Sequence, residues 1–250
     1  MRTTLKILVT FFTFVMTTSC SSENPGMDSI SSPPPVTDSS PEQPNQSKTI
    51  NYLALGDSYT IGQSVCTTCR FPEQLRQSLK NINPQNNFSL EIIAQTGWTT
   101  TNLISAIESK NPTPQYDLVT LLIGVNNQYQ GKNFSLYEKE FPELVAKAIR
   151  LAKGDKTNVI VVSIPDYAYT PFGQNYGNPD NISTEIDRYN AFAKSYCESN
   201  AILFINITDI TRQGLNTPSL VANDGLHPSE SAYRLFTERL LPNAVTILKN

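Results

Sequence analysis

A serine, a histidine and an acid carry the chemistry this chain offers. The serine is Ser58, in Leu53-Ala54-Leu55-Gly56-Asp57-Ser58-Tyr59, where an apolar run breaks at a glycine and passes into small polar residues. The histidine is His227, the single imidazole, in Asp224-Gly225-Leu226-His227-Pro228. A serine hydroxyl is a poor nucleophile until a base takes its proton, and imidazole is the usual base. Asp224, three residues earlier, can turn back to the ring, fix its tautomer and stabilise imidazolium. Pro228 biases His227 toward extended backbone and suits the first turn of a following helix, which keeps the imidazole at a rim. Asp166 is a competing acid, because it too follows an apolar run. Each residue also has a plainer use, since a serine after a strand commonly caps a helix. Asp57 is expected to anchor the turn by hydrogen bonds rather than to do acid–base work.

These residues need a frame. Short apolar runs bounded by turn residues occur at Ile50–Leu55, Leu90–Ala94, Leu118–Ile123, Val159–Ile164 and Ile202–Ile205, and each reads as a buried strand. Helical patterns alternate with them at Phe71–Leu79, Thr101–Ser109, Tyr137–Lys153, Asn181–Asn200 and Ser229–Lys249. Pro142 is expected to delay regular helix until its own position, and Pro242 to break or restart the last helix. Alternation of this kind implies a parallel sheet covered on both faces. Right-handed crossovers make the order 2-1-3-4-5 the economical topology. The fold class is therefore α/β, a flavodoxin-like three-layer α/β/α sandwich with a five-stranded parallel sheet. Its site belongs at the carboxyl ends of the strands. There the loops bring Ser58, Gln95-Thr96-Gly97-Trp98, Gly124-Val125-Asn126-Asn127, the long segment Pro165–Gly173, and finally Asp224 and His227.

Composition narrows the partners. A net charge of −3 shows no basic face for nucleic acid. The 39% hydrophobic content is enough for a packed core. Residues 1–20 read as a cleaved signal. Arg2 and Lys6 precede an apolar stretch from Ile7 to Met16, shorter than the about 20 residues that span a bilayer. Ending at Cys20, the segment resembles a bacterial lipoprotein signal, whose cysteine becomes the lipidated first residue; a general secretory signal is the alternative. Residues 21–48, rich in Ser and Pro, read as a disordered spacer. The folded domain is then 49–250, extracytoplasmic, anchored to a membrane through its amino-terminal lipid, and monomeric. Cys66-Thr67-Thr68-Cys69 reads as a local disulfide in an oxidising compartment; a zinc site lacks a second pair. Cys197 reads as a small buried hydrophobe.

Four blocks in order resemble the GDSL/SGNH hydrolase family. They are Gly56-Asp57-Ser58-Tyr59, Gly97, Asn126 within Gly124-Val125-Asn126-Asn127, and Asp224-Gly225-Leu226-His227. The resemblance covers the chain beyond residue 49, with Tyr59 in place of Leu and Asn127 in place of Asp. It implies the SGNH fold and an esterase without cofactor or metal. The resemblance further implies that Ser58 serves as the nucleophile, with Asp224 and His227 completing the triad. The oxyanion hole it implies is formed by the Ser58 N–H, the Gly97 N–H and the Asn126 side-chain amide. The substrate is expected to be a small-molecule or glycan ester, with acetyl among the acyl groups. Trp98, Tyr129, Tyr167, Tyr169, Phe172 and Tyr176 either meet that substrate or pack the loops. A non-catalytic glycan-binding protein on the same scaffold is the competing class.

Overall fold

The computed structural model describes residues 47–249. The signal, Cys20 and most of the spacer lie outside the described residues. Five strands form one parallel sheet in the order β2-β1-β3-β4-β5. They are β1 (Thr49–Gly56), β2 (Asn87–Ala94), β3 (Leu118–Leu122), β4 (Val159–Val162) and β5 (Leu203–Ile205). Every residue of β3 and β4 is buried, as happens only where helices cover both faces of a parallel sheet. Helices α2 (Phe71–Ile82) and α9 (Glu230–Ile247) pack together, while α5 (Phe134–Leu151) packs on both α3 (Thr100–Lys110) and α7 (Pro179–Ser199).

Two prolines behave otherwise than expected. Helix α5 starts at Phe134, where the Asn133 side chain accepts from Ser135 N–H, and runs through Pro142. Helix α9 likewise runs unbroken through Pro242. An interior proline costs a helix about 3 kcal/mol. Burial offsets it here: Tyr137, Phe141, Leu144, Val145 and Ala148 of α5 face the core, as do Phe236, Leu240 and Ala244 of α9. A buried large apolar side chain contributes roughly 1.5–3 kcal/mol, so several outweigh one missing donor.

The loops at the carboxyl edge of the sheet are more helical than their sequence reads. They contain α1 (Ser58–Ile61), α4 (Val125–Tyr129), α6 (Pro171–Asn175) and α8 (Thr208–Thr211). Each is about one turn, too short to show a hydrophobic period.

Candidate active site

The turn that carries Ser58 starts at a position only glycine can fill. A Cβ on Gly56 would lie 2.1 Å from Thr60 Oγ1 and 2.4 Å from the Leu122 carbonyl oxygen. Asp57 then caps α1, accepting from the Tyr59 N–H at 3.0 Å. Ser58 is thereby the first residue of α1, directly beyond β1, and among the described residues its hydroxyl makes no hydrogen bond. Burial drives the Asp57 carboxyl up to about 7, against the lowering effect of the Tyr59 N–H and the neighbouring Asn126 amide. Asp57 thus serves the turn.

His227 and Asp224 sit on a hairpin closed by the Val221–Pro228 bridge and by Ala222 N–H donating to the His227 carbonyl at 2.7 Å. The Asp224 carboxylate folds back over its own turn. Oδ1 accepts from the Leu226 and His227 amides at 2.9 and 3.0 Å, while Oδ2 pairs with His227 Nδ1 at 2.6 Å. That bond leaves Nε2 free to face the cavity. Partial burial pushes the Asp224 carboxyl up, but hydrogen bonds from Ser64, His227 and the two amides hold it down at about 2. The ring itself packs against Tyr59, with centroids 5.2 Å apart.

Asp166, the competing acid, is engaged elsewhere. Fully buried, it accepts from Ala168 N–H, from Ser183 Oγ at 2.8 Å and from Arg212 Nε at 2.9 Å. Its hydrogen bonds join β4's exit loop to α7 and α8, and none reaches His227. The acid beside the imidazole is Asp224.

Three potential donors flank Ser58. The Ser58 and Gly97 N–H groups are not taken up by another group among the described residues. Gly97 holds φ +83°, and its carbonyl is fixed by Gln130 Nε2 at 2.9 Å. Asn126 Nδ2 is buried and makes no hydrogen bond of good geometry; the Asp57 carboxyl is the acceptor beside it, which leaves it able to donate to a better-placed oxygen. Asn126 rides on α4, whose first residue follows Gly124 at φ +132°. Its neighbour Asn127 is wholly buried and ties α4 to α3, accepting from Thr100 N–H at 2.9 Å and donating to Thr100 Oγ1 at 2.6 Å. Thr100 Oγ1 in turn donates to the Glu140 carboxylate. An Asp at 127 would have no donor for that hydroxyl and would add a second acid beside Glu140; Asn suits this arrangement.

Ser58, Gly97, Asn126 and His227 share a cavity of about 240 Å³. Its far wall is aromatic: Tyr129, Tyr167 and Phe172 line it. Tyr176, 41% exposed, stacks behind them on Tyr129 and Phe172, with centroids 4.9 and 5.3 Å apart. Phe172 N–H bonds the Gly225 carbonyl at 2.9 Å, which fastens this wall to the histidine hairpin. Trp98 and Tyr169 do not join the lining. Trp98 packs on the core from the β2 side, and Tyr169 is half-buried with the Arg212 guanidinium 5.9 Å from its ring centre. Ser64 and Gln130 enter the site without any signal in the sequence, because both act on residues remote in the chain. Cys66 and Cys69 form a disulfide, and Cys197 is a buried free thiol.

The family described as GDSL-like Lipase/Acylhydrolase matches residues 54–235. No curated protein matches the chain. Among solved structures, a lipolytic protein of the G-D-S-L family from Veillonella parvula is similar at 21% identity and TM-score 0.59, over 77% of this chain and 97% of that one. An acetylxylan esterase from Geobacillus stearothermophilus is similar at 19% identity and TM-score 0.55, over 80% and 95%. The esterase EstA from Pseudoalteromonas sp., in a structure inhibited by monoethylphosphonate, gives 19% and 0.55, over 80% and 99%. At these identities the likeness speaks for the fold.

Proposed function

The chain belongs to the GDSL-like lipase/acylhydrolase family, and on that premise we propose that it is a serine hydrolase cleaving small acyl esters through a Ser58–His227–Asp224 triad. Ser58 Oγ attacks the ester carbonyl while His227 Nε2 takes its proton. Asp224 holds Nδ1–H and stabilises the imidazolium. The negative charge on the tetrahedral oxygen is met by the N–H groups of Ser58 and Gly97 and by Asn126 Nδ2. Collapse expels the alcohol, protonated by His227, and leaves an acyl-serine. Water, deprotonated by the same imidazole, then releases the acid.

The observation that carries this reading is a single cavity that gathers Ser58, Gly97 and Asn126 with an imidazole already oriented by its acid. A cavity of about 240 Å³ lies below the roughly 300–1,000 Å³ of drug-sized sites, which suits a short acyl group such as acetyl. The acetylxylan esterase among the structural neighbours makes acetylated glycans one class worth assaying, beside lipid and simple esters.

Ser58→Ala and His227→Ala should each lower kcat on p-nitrophenyl acetate by several orders of magnitude, with the double variant little worse, because triad members act as a unit. Near-wild-type turnover by His227→Ala would remove the triad, since no other imidazole exists in the chain. A fluorophosphonate that fails to label Ser58 in folded protein would favour the glycan-binding alternative. The same proposal includes Cys20 as a lipid-bearing residue that anchors the enzyme outside the cytoplasm. An oxidised Cys66–Cys69 pair supports that compartment. Recovery of the protein in the membrane fraction, and its release by Cys20→Ser, is the expected result; a soluble protein with unmodified Cys20 would refute it.

A further inference from the structure

Asp224 Oδ2 has a second partner besides the imidazole. Ser64 Oγ donates to it at 2.5 Å, across 160 residues of sequence. Ser64 comes from the short loop that leaves the nucleophile helix, not from the histidine hairpin. Its backbone is in the left-handed region at φ +66°, which a residue with a Cβ enters at roughly 1–2 kcal/mol. Something must hold it there.

The loop is tied at both ends. At its start, the Gly62 and Gln63 amides donate to the Ser58 carbonyl at 3.1 and 3.0 Å, and Val65 N–H donates to the Gly62 carbonyl. Val65 itself packs on the core. At its end, the Cys66–Cys69 disulfide closes a turn that also carries the Cys69 N–H to Cys66 carbonyl bond at 2.9 Å. Gln74 Nε2 of α2 then caps the Cys69 carbonyl at 2.5 Å, and Arg70 Nη1 reaches back to the Ile61 carbonyl. So small a disulfide ring removes little unfolded-state entropy, and its effect is local. It confines the four residues Cys66–Cys69 that follow Ser64's own turn.

We propose that Ser64 is a positioning residue of the active site, delivered to Asp224 by the disulfide-clipped loop and acting on catalysis through the Asp224–His227 pair. This rests on the triad reading above and adds a fourth member to it. Ser64 touches no reacting atom. By occupying the outer side of Oδ2 it fixes the carboxylate's rotation, so the in-plane lone pair stays aimed at Nδ1–H. The loop begins at the carbonyl of Ser58, so nucleophile and acid share one short, stiff connection.

Ser64→Gly separates the hydroxyl from the backbone, because glycine accepts φ +66° freely. Without the hydroxyl, kcat on p-nitrophenyl acetate should fall about fivefold, the worth of one ordinary hydrogen bond of about 1 kcal/mol. KM should stay unchanged and the melting temperature should not fall. Ser64→Asn, which tolerates the same backbone and keeps a donor, should recover most of the loss. Cys66→Ser with Cys69→Ser, or dithiothreitol on the wild type, should lower kcat to a similar extent. In the Ser64→Gly background the same change should have no further effect. Wild-type kcat in Ser64→Gly would overturn the proposal. Additive losses from loop and hydroxyl would overturn the disulfide's part in delivering Ser64. The Ser58→Ala control separates the two levels: near-wild-type turnover there sinks the triad, whereas a loss of several orders of magnitude in Ser58→Ala beside an unaffected Ser64→Gly sinks only the role given to Ser64.

Discussion

Two aspartates within one site are driven in opposite directions by their surroundings. Asp57 is sealed in the core with its Oδ2 unpartnered, and burial lifts it from 3.8 to about 7. Asp224 is partly open to solvent and accepts several hydrogen bonds, which bring it down to about 2. Their linkage to stability follows with opposite signs. The folded state favours protonated Asp57, so stability from that proton is complete below about pH 3.8 and drains away as pH rises through 7. Asp224 favours the anion, so its contribution is present above 3.8 and is lost as pH falls through about 2. Asp57→Asn keeps an acceptor for Tyr59 N–H and removes the charge. Its melting temperature should therefore depend less on pH between 4 and 8 than that of the wild type. Identical slopes for the two proteins in calorimetry would show that Asp57 stays ionised in the fold.

At the scale of elements, the proposed oxyanion side of the site depends on how α4 is launched from β3. Gly124 takes φ +132°, and a Cβ there would meet the Tyr137 ring at 2.7 Å. Gly124→Ala must either strain this turn, at about 1–3 kcal/mol, or push α4 and Asn126 away from Ser58. Both a lower melting temperature and a fall in kcat of about tenfold or more are expected, with Asn126→Ala as the reference for losing one oxyanion donor. Full activity in Gly124→Ala would mean that α4 does not need this geometry. Helix α5 offers a contrasting test, because Pro142 sits in its interior without a backbone donor. Pro142→Ala should raise stability, by up to about 3 kcal/mol, and leave turnover unchanged; a lower melting temperature would show the helix shaped around the proline.

At the scale of the whole molecule, packing sets the size of the cavity that the proposed ester would enter. A sheet whose central strands β3 and β4 are wholly buried carries five loop origins at one edge. The tie between Phe172 and Gly225 joins the aromatic wall to the histidine hairpin. With Tyr129, Tyr167 and Phe172 closing a cavity of about 240 Å³, acetate and butyrate esters should be hydrolysed with higher kcat/KM than dodecanoate esters, by about tenfold or more. Phe172→Ala should narrow that gap. A wild-type preference for long acyl chains would place the acyl group outside this cavity.

The groups that share the cavity, Ser58, Gly97, Asn126 and His227, are ones the chain singles out because their chemistry is scarce: a single histidine with an aspartate one turn away leaves little choice of proposed base. The strand order was legible too, since alternating apolar runs and amphipathic stretches admit few right-handed arrangements. Local pattern misjudged Pro142 and Pro242, where burial of whole helix faces overrides one missing donor. It also left Asp166 open beside Asp224, and could not sort Trp98 and Tyr169 from Tyr129, Tyr167 and Phe172. Those choices turn on which side chains meet across a folded edge. Asp166 is claimed by Arg212 and Ser183, Asp224 by His227 and Ser64. Sequence determines which groups exist and how each segment coils; only long-range packing decides which of them share a hydrogen bond.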